Sequence, residues 1–237
     1  MKIALIGYGK MGKEIESIAL GKGHEISFKV TSANAGFSAA DLKDSDVAIE
    51  FSKPDVVISN IEKCFDANIP IVVGTTGWYD DFTRIRENCF VRKQSLLYAT
   101  NFSVGVNIFF ELNKRLAEMM NKHWDYEVEV EETHHTQKLD APSGTAITIA
   151  EGIVENLERK EKWIKGTDED PAHVNIISHR IDNIPGTHVV RYQSAIDDIE
   201  ISHVAHNRKG FASGAVLAAE WLVGKKGIFT MRDVLDL

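Results

Sequence analysis

The chain has 237 residues, 43% of them hydrophobic and 26% charged, with a formal net charge of −8 at pH 7. That is enough chain for one large domain or two smaller ones, with the composition of an ordinary globular protein. An acidic chain lacks the basic footprint of a nucleic-acid binder, and no run of about eighteen apolar residues is present to cross a membrane, so neither partner is expected.

Residues 2–6, KIALI, form a short apolar run that ends in glycine, and the opening MKIALIGYGKMGKEIE reads as a first strand and turn, not a secretion signal. A helical stretch follows, with Ile15, Ile18 and Ala19 at helical spacing and a glycine stop. HEISFKV, DVAIEF (46–51), PIVVG (70–74) and SLLYAT (95–100) are the next strand candidates, and PDVVISNIEKCFDAN is a helix between two of them. Apolar strands alternating with helices imply a parallel, doubly wound sheet.

The pattern changes after about residue 102. VGVNIFFELNKRLAEMMNKH reads as a long amphipathic helix, and YEVEVEETHH alternates apolar and acidic residues, as suits a sheet with one wet face. Next come a helix over about 144–158, a polar loop, the segment VNIISHR, and THVVRYQSAIDDIEISHVAH as a hairpin or a pair of antiparallel strands around Ile196–Asp198. The tail FASGAVLAAEWLVGKKGIFTMRDVLDL reads as helical and apolar on one face. An α/β first half and an α+β second half result. Cys64 and Cys89 lack CxxC spacing and fit a reducing cytosol.

Gly7, Gly9 and Gly12 form G-x-G-x-x-G straight after a strand and at the opening of a helix. The first glycine permits the tight turn, the second lets the backbone approach a pyrophosphate, and the third lets helix and strand pack closely. An NAD-specific site usually places an acid at the end of the second strand. Here Lys29, Thr31 and Ser32 stand there, with Lys10 nearby, and hydroxyls and lysines of this kind can accept a 2′-phosphate. That points toward NADPH, with NADH tolerated. GTTGW (74–78) and ATNFSVG (99–105) follow later strands, at the carboxyl ends where open α/β sheets bind ligands.

ETHHTQKLDAPSGTA (132–146) allows three readings: a metal site, a catalytic site or a polar loop. Adjacent His134 and His135 point to opposite faces of a strand and make a poor chelating pair, so no metal is expected. If the alternation continues, His134 shares a face with Val128 and Val130, and His135 with Glu127 and Glu129. Lys138 lies across a turn, and PSGT leads into a helix whose first N–H groups, near Ser143, Gly144 and Thr145, suit a carboxylate or phosphate. Asp140 orients this loop or simply closes its turn. Cations, a helix start and a proton donor active near neutral pH suit reduction of a small carboxylated substrate. Two rivals would keep the glycine loop: a two-domain NAD(P) oxidoreductase acting on a sugar or amino acid, and a nucleotide sensor without turnover.

ETHHTQKLDAPSGTA resembles the signature of the 4-hydroxy-tetrahydrodipicolinate reductase (dihydrodipicolinate reductase) family of bacterial lysine and diaminopimelate synthesis. GYGKMG, DVAIEFSKP, GTTGW, NFSVGVN and the tail look like that family in the same order, so the resemblance covers essentially the whole chain. It implies a Rossmann-type parallel-sheet nucleotide domain over residues 1–102. A smaller α+β substrate-binding and oligomerisation domain with a mixed sheet follows over 103–208, and the tail 209–237 returns to the nucleotide domain. It further implies a homotetramer that uses NADPH or NADH to reduce a cyclic dicarboxylate, with hydride going to C4. By motif position, His134 and Lys138 are the proton donors, and His135, Gly144 and Thr145 bind substrate. Gly7, Tyr8, Gly9, Lys10, Met11 and Gly12 match cofactor-binding positions, as do Gly74, Thr75 and Thr76, and Ala99, Thr100, Asn101 and Phe102. At the end of the second strand the chain departs from the many family members that carry an acid; Thr31 stands in about that place, beside Ser32.

Overall fold

The computed structural model describes residues 1–207 and 209–237. In chain order the elements are β1 (Lys2–Ile6), α1 (Lys10–Gly21), β2 (Glu25–Val30), β3 (Val47–Glu50), α2 (Pro54–Asp66), β4 (Ile71–Val73), α3 (Phe82–Val91), β5 (Ser95–Tyr98) and α4 (Val104–Met120). They continue with β6 (Glu127–His134), α5 (Gly144–Asn156), β7 (Lys162–Lys165), β8 (His173–Arg180), β9 (Gly186–Gln193), β10 (Asp198–Ala205), α6 (Lys209–Leu222), β11 (Gly227–Phe229) and α7 (Met231–Leu235). Two compact units result: Met1–Val104 together with Lys209–Leu237, and the segment between them. Position 208, the expected end of the middle domain, lies outside the described residues.

The first unit is a parallel sheet in the order β11-β5-β4-β3-β1-β2. Its central strands β1, β3, β4 and β5 are buried and mostly apolar because both faces are covered. Along β1, Ala4 and Ile6 enter one core with Val57, Ile61 and Phe65 of α2 and Ile85 of α3. Ile3 and Leu5 enter the other, with Ile15 and Ala19 of α1 and Ala215, Ala218 and Ala219 of α6. Pro54 opens α2, where a missing N–H costs nothing. The small residues of α6 let it lie against backbone: a Cβ on Gly214 would stand 1.7 Å from the Phe102 carbonyl oxygen.

The second unit is a mixed sheet, β10-β9-β6-β8-β7. β6 pairs in parallel with β8 and antiparallel with β9. One face buries Val128 and Val130 of β6, Val174 and Ile176 of β8 and Val190 and Tyr192 of β9 against Phe109 of α4 and Ile149 and Ile153 of α5. Alternation sends Glu129 and Glu131 to the other face.

Two expectations need correction. The stretch expected as a polar loop before VNIISHR contains β7, KWIK, paired in parallel with β8. With only four residues and lysines at both ends, its strand character comes from pairing and not from pattern. The tail is not continuous helix: α6 ends at Leu222, and Gly227–Phe229 adds a sixth strand beside β5. Gly224 and Gly227, both at positive φ, break the helix and let the chain turn into that strand. Among the described residues no helix is long and apolar enough to cross a membrane, and both cysteines are free and buried.

Candidate active site

In the first unit the sheet order reverses beside β1, which has β2 on one side and β3 on the other. Ligands of open α/β sheets bind at such a switch point. A cavity of about 550 Å³ opens there, lined by Gly7, Tyr8 and Gly9 after β1, Thr31 and Ser32 after β2, and Ser52 after β3, among others. Gly7 has φ +95°, and a Cβ there would meet the Phe51 carbonyl oxygen at 2.2 Å. Only glycine fits that turn. Gly9 caps α1, and a Cβ on it would meet nothing within 4 Å, so its backbone faces open space at the helix start. A Cβ on Gly12 would stand 2.4 Å from the Gly7 oxygen, so this glycine sets the helix-to-strand distance. Lys10, Met11 and Gly12 form the first turn of α1. These residues fit a dinucleotide: the glycines leave the cradle that a pyrophosphate needs, and a helix start faces it.

Lys29 does not stand alone at the end of β2. Its ammonium pairs with Glu16, which also accepts from the Tyr8 hydroxyl, and it lies 4.8 Å from the Tyr8 ring centre. Thr31 is drawn into a local cap with Asn34. Of the later segments, Gly74, Thr75 and Thr76 follow β4, and Thr75 Oγ1 accepts from the Ser52 N–H at 2.8 Å. Ala99, Thr100, Asn101 and Phe102 follow β5; the Phe102 ring is buried against Phe51, with ring centres 5.7 Å apart. Phe51, Ser52 and Asn60 line the cavity and were not picked out by sequence, because DVAIEFSKP announces a strand end but no glycine loop.

In the second unit the alternation of β6 runs through to its end. Val128, Val130, Glu132 and His134 are all buried, on one face. The register puts Ser178 of β8 and His188 of β9 opposite Glu132, and Arg180 opposite His134. Glu132 is therefore a hub. It accepts from the Ser143 N–H at 3.1 Å to each oxygen, from the Ser178 hydroxyl at 2.8 Å and from Arg180 at 3.3 Å. His134 Nδ1 stands 3.3 Å from a Glu132 oxygen, off the axis of a hydrogen bond. Gly186 makes room for that ring; a Cβ there would be 3.1 Å from His134 Nε2.

The loop beyond β6 turns through a Lys138 N–H to His135 oxygen bond. Lys138 is bound by both Asp140 oxygens at 2.9 Å. Burial works against the charged Asp140, but Lys138 outweighs it and holds the carboxyl below its ordinary value. Arg180 straps the loop by donating to the Lys138 and Asp140 carbonyls, at 3.3 and 2.6 Å. Ser143 caps α5, accepting from the Ala146 N–H at 3.2 Å, so Gly144 and Thr145 occupy its first turn. His135 lines a separate cavity of about 290 Å³ with Asp182, Asn183 and Asn207.

Burial by itself would raise the Glu132 carboxyl, but His134, Ser143 and Ser178 outweigh it and hold the group well below the carboxylate range. Burial and the neighbouring His134 push His188 down to about 3. Glu132, His134 and His188 each offer an atom within 4.8 Å of the others, a spacing a metal could use. The carboxylate also receives N–H and O–H donors, and a guanidinium stands beside it. Folded His188 stays neutral where the unfolded residue, with an ordinary value near 6.5, takes up a proton. Stability from this residue is therefore present above about pH 6.5 and is lost as pH falls toward 3. Urea titrations of His188→Gln should show a pH slope shallower than wild type by about 1 kcal/mol per unit between pH 6 and 4.5. Parallel slopes would assign that pH dependence elsewhere.

A parallel sheet with a glycine cradle at its switch point, and a second unit rich in proton-carrying side chains, define a nicotinamide-dinucleotide-dependent oxidoreductase. A family model described as dihydrodipicolinate reductase, N-terminus, matches residues 1–102, and one described as dihydrodipicolinate reductase, C-terminus, matches residues 105–235. The 4-hydroxy-tetrahydrodipicolinate reductase of Christiangramia forsetii is 51% identical over 237 residues, 100% of this chain and 98% of the relative. That of Neisseria meningitidis serogroup B is 35% identical over 229 residues, 94% of this chain and 84% of the relative. A solved structure, a dipicolinate-bound dihydrodipicolinate reductase from a Paenisporosarcina species, has the same fold, with a TM-score of 0.78 at 23% identity over 97% of each chain. The chain belongs to the dihydrodipicolinate reductase family and is an NAD(P)H-using oxidoreductase.

Proposed function

We propose that the chain reduces 4-hydroxy-tetrahydrodipicolinate to tetrahydrodipicolinate in lysine and diaminopimelate synthesis, the activity for which its relatives are named. The observation that carries this reading is the end of β6. There a buried carboxylate gathers His134, the strap on the Lys138 loop and the start of α5. NAD(P)H supplies the hydride, to C4 of the substrate ring. His134 and Lys138 hold the protons that the reduced ring requires. His135, the first-turn N–H groups at Gly144 and Thr145 and the Thr145 hydroxyl bind the substrate carboxylates, as a helix start favours anions. Asp140 holds the Lys138 ammonium until a substrate carboxylate takes its place.

In this reading residues 1–102 and 209–237 form the dinucleotide-binding domain, and 103–208 the substrate-binding and oligomerisation domain of a cytoplasmic homotetramer. The Gly7–Gly12 loop, Gly74–Thr76 and Ala99–Phe102 serve the cofactor. The Lys29–Glu16 pair partly neutralises the lysine at the end of β2 that could attract a 2′-phosphate, which supports use of NADH as well as NADPH.

The test is loss of NADPH or NADH absorbance with the freshly made condensation product of pyruvate and aspartate semialdehyde. Absence of oxidation with either cofactor would sink the proposal. In the same assay Thr145→Val should raise KM about fivefold and leave kcat nearly unchanged; a fall in kcat alone would remove Thr145 from substrate binding.

A further inference from the structure

We propose that Glu132 is a positioning residue for the proton transfer, a buried carboxylate that fixes the His134 imidazole and ties it to the Lys138 loop and the start of α5. The inference rests on His134 being a proton donor. Glu132 is completely buried, two residues before His134 and on the same face of β6. A carboxylate in such a place needs compensating donors, and three groups supply them. Ser178 and Arg180 donate from β8, and the Ser143 N–H donates from the cap of α5. His188 Nε2 approaches from β9 at 3.9 Å, and Asp140 lies within electrostatic reach on the following loop.

What remains is the side facing His134. Nδ1 of that ring is buried, lacks an aligned hydrogen bond and stands 3.3 Å from the carboxylate. A small ring rotation completes an Nδ1–H to Glu132 bond, which would select the tautomer and aim Nε2 outward. The His188 ring, 5.1 Å away and edge-on, packs beside it. Catalytic hydrogen bonds are often long in unliganded enzymes and tighten on binding. Arg180 shares the carboxylate with His134 and bonds the carbonyls of Lys138 and Asp140, so one anion sets the positions of both proton carriers. A residue retained only for folding would not need to link these parts.

The test is a double-mutant cycle on full-length enzyme with His134→Gln and Glu132→Gln. Glu132→Gln should lower kcat about tenfold or more with KM within about threefold. In the His134→Gln background the same change should cost under about threefold, because the residue it positions is gone. Equal losses in both backgrounds, or a rise in KM with kcat intact, would overturn the inference while leaving His134 as donor. Near wild-type kcat in His134→Gln itself would sink the donor reading, and the positioning role with it. Should Glu132→Gln not fold, Ser178→Ala removes one donor from the carboxylate and carries the same cycle. A severalfold kcat loss that vanishes without His134 supports the role, and no loss in either background overturns it.

Discussion

His134→Gln and Lys138→Ala are each expected to lower kcat by about 10²-fold or more, the usual contribution of a positioned proton carrier. His134 is buried at the end of β6, and glutamine approximates its shape without carrying a proton near neutral pH. Lys138 is held by Asp140, itself largely exposed, so removing the lysine leaves a solvated carboxylate and little structural damage. Steady-state rates should be paired with circular dichroism and thermal melts. Folded variants of both kinds with near wild-type turnover would show the assignment to be wrong. A loss confined to KM would make these residues binders of the ground state only.

Gly214→Ala should destabilise the first unit by about 3 kcal/mol, the upper end for forcing one extra group into a packed core. The added Cβ would stand 1.7 Å from the Phe102 carbonyl oxygen, and neither backbone can yield alone. Relief requires α6 to move, and Ala215, Ala218 and Ala219 hold it on the sheet. The melting temperature should fall by roughly 5–10 °C. Gly210→Ala in the same helix is the control: its nearest neighbour would be the Ser103 hydroxyl at 3.4 Å, an ordinary contact, and the melting temperature should barely change. Equal melting temperatures for the two variants would mean that close packing at Gly214 is not what fastens α6.

The central strands of the parallel sheet were legible because they are covered on both faces and therefore read as short, mostly apolar runs. β7 and β11 were not. Each is three or four residues long and exists because a neighbouring strand offers hydrogen bonds, and no short-range pattern records that offer. Glu132 was the nearest miss. Its parity with Val128, Val130 and His134 was available from alternation, but an acid among alternating acids reads as part of a wet face. The glycines at 7, 9 and 12 were legible in position from the strand–turn–helix pattern, although the Phe51 carbonyl that crowds Gly7 comes from beyond β3.

The amino-acid sequence by itself determined the order of elements apart from β7 and β11, the glycine loop before α1 and the presence of His134, Lys138 and a capped helix within fifteen residues, because each depends on neighbours close along the chain. Only the tertiary structure decided which of these groups meet. Glu132 faces Ser178 and His188 through the register of β6 with β8 and β9, and Arg180 reaches back across more than forty residues to strap the Lys138 loop. Register is a property of paired strands, set by how whole faces bury, so a single strand read alone cannot contain it.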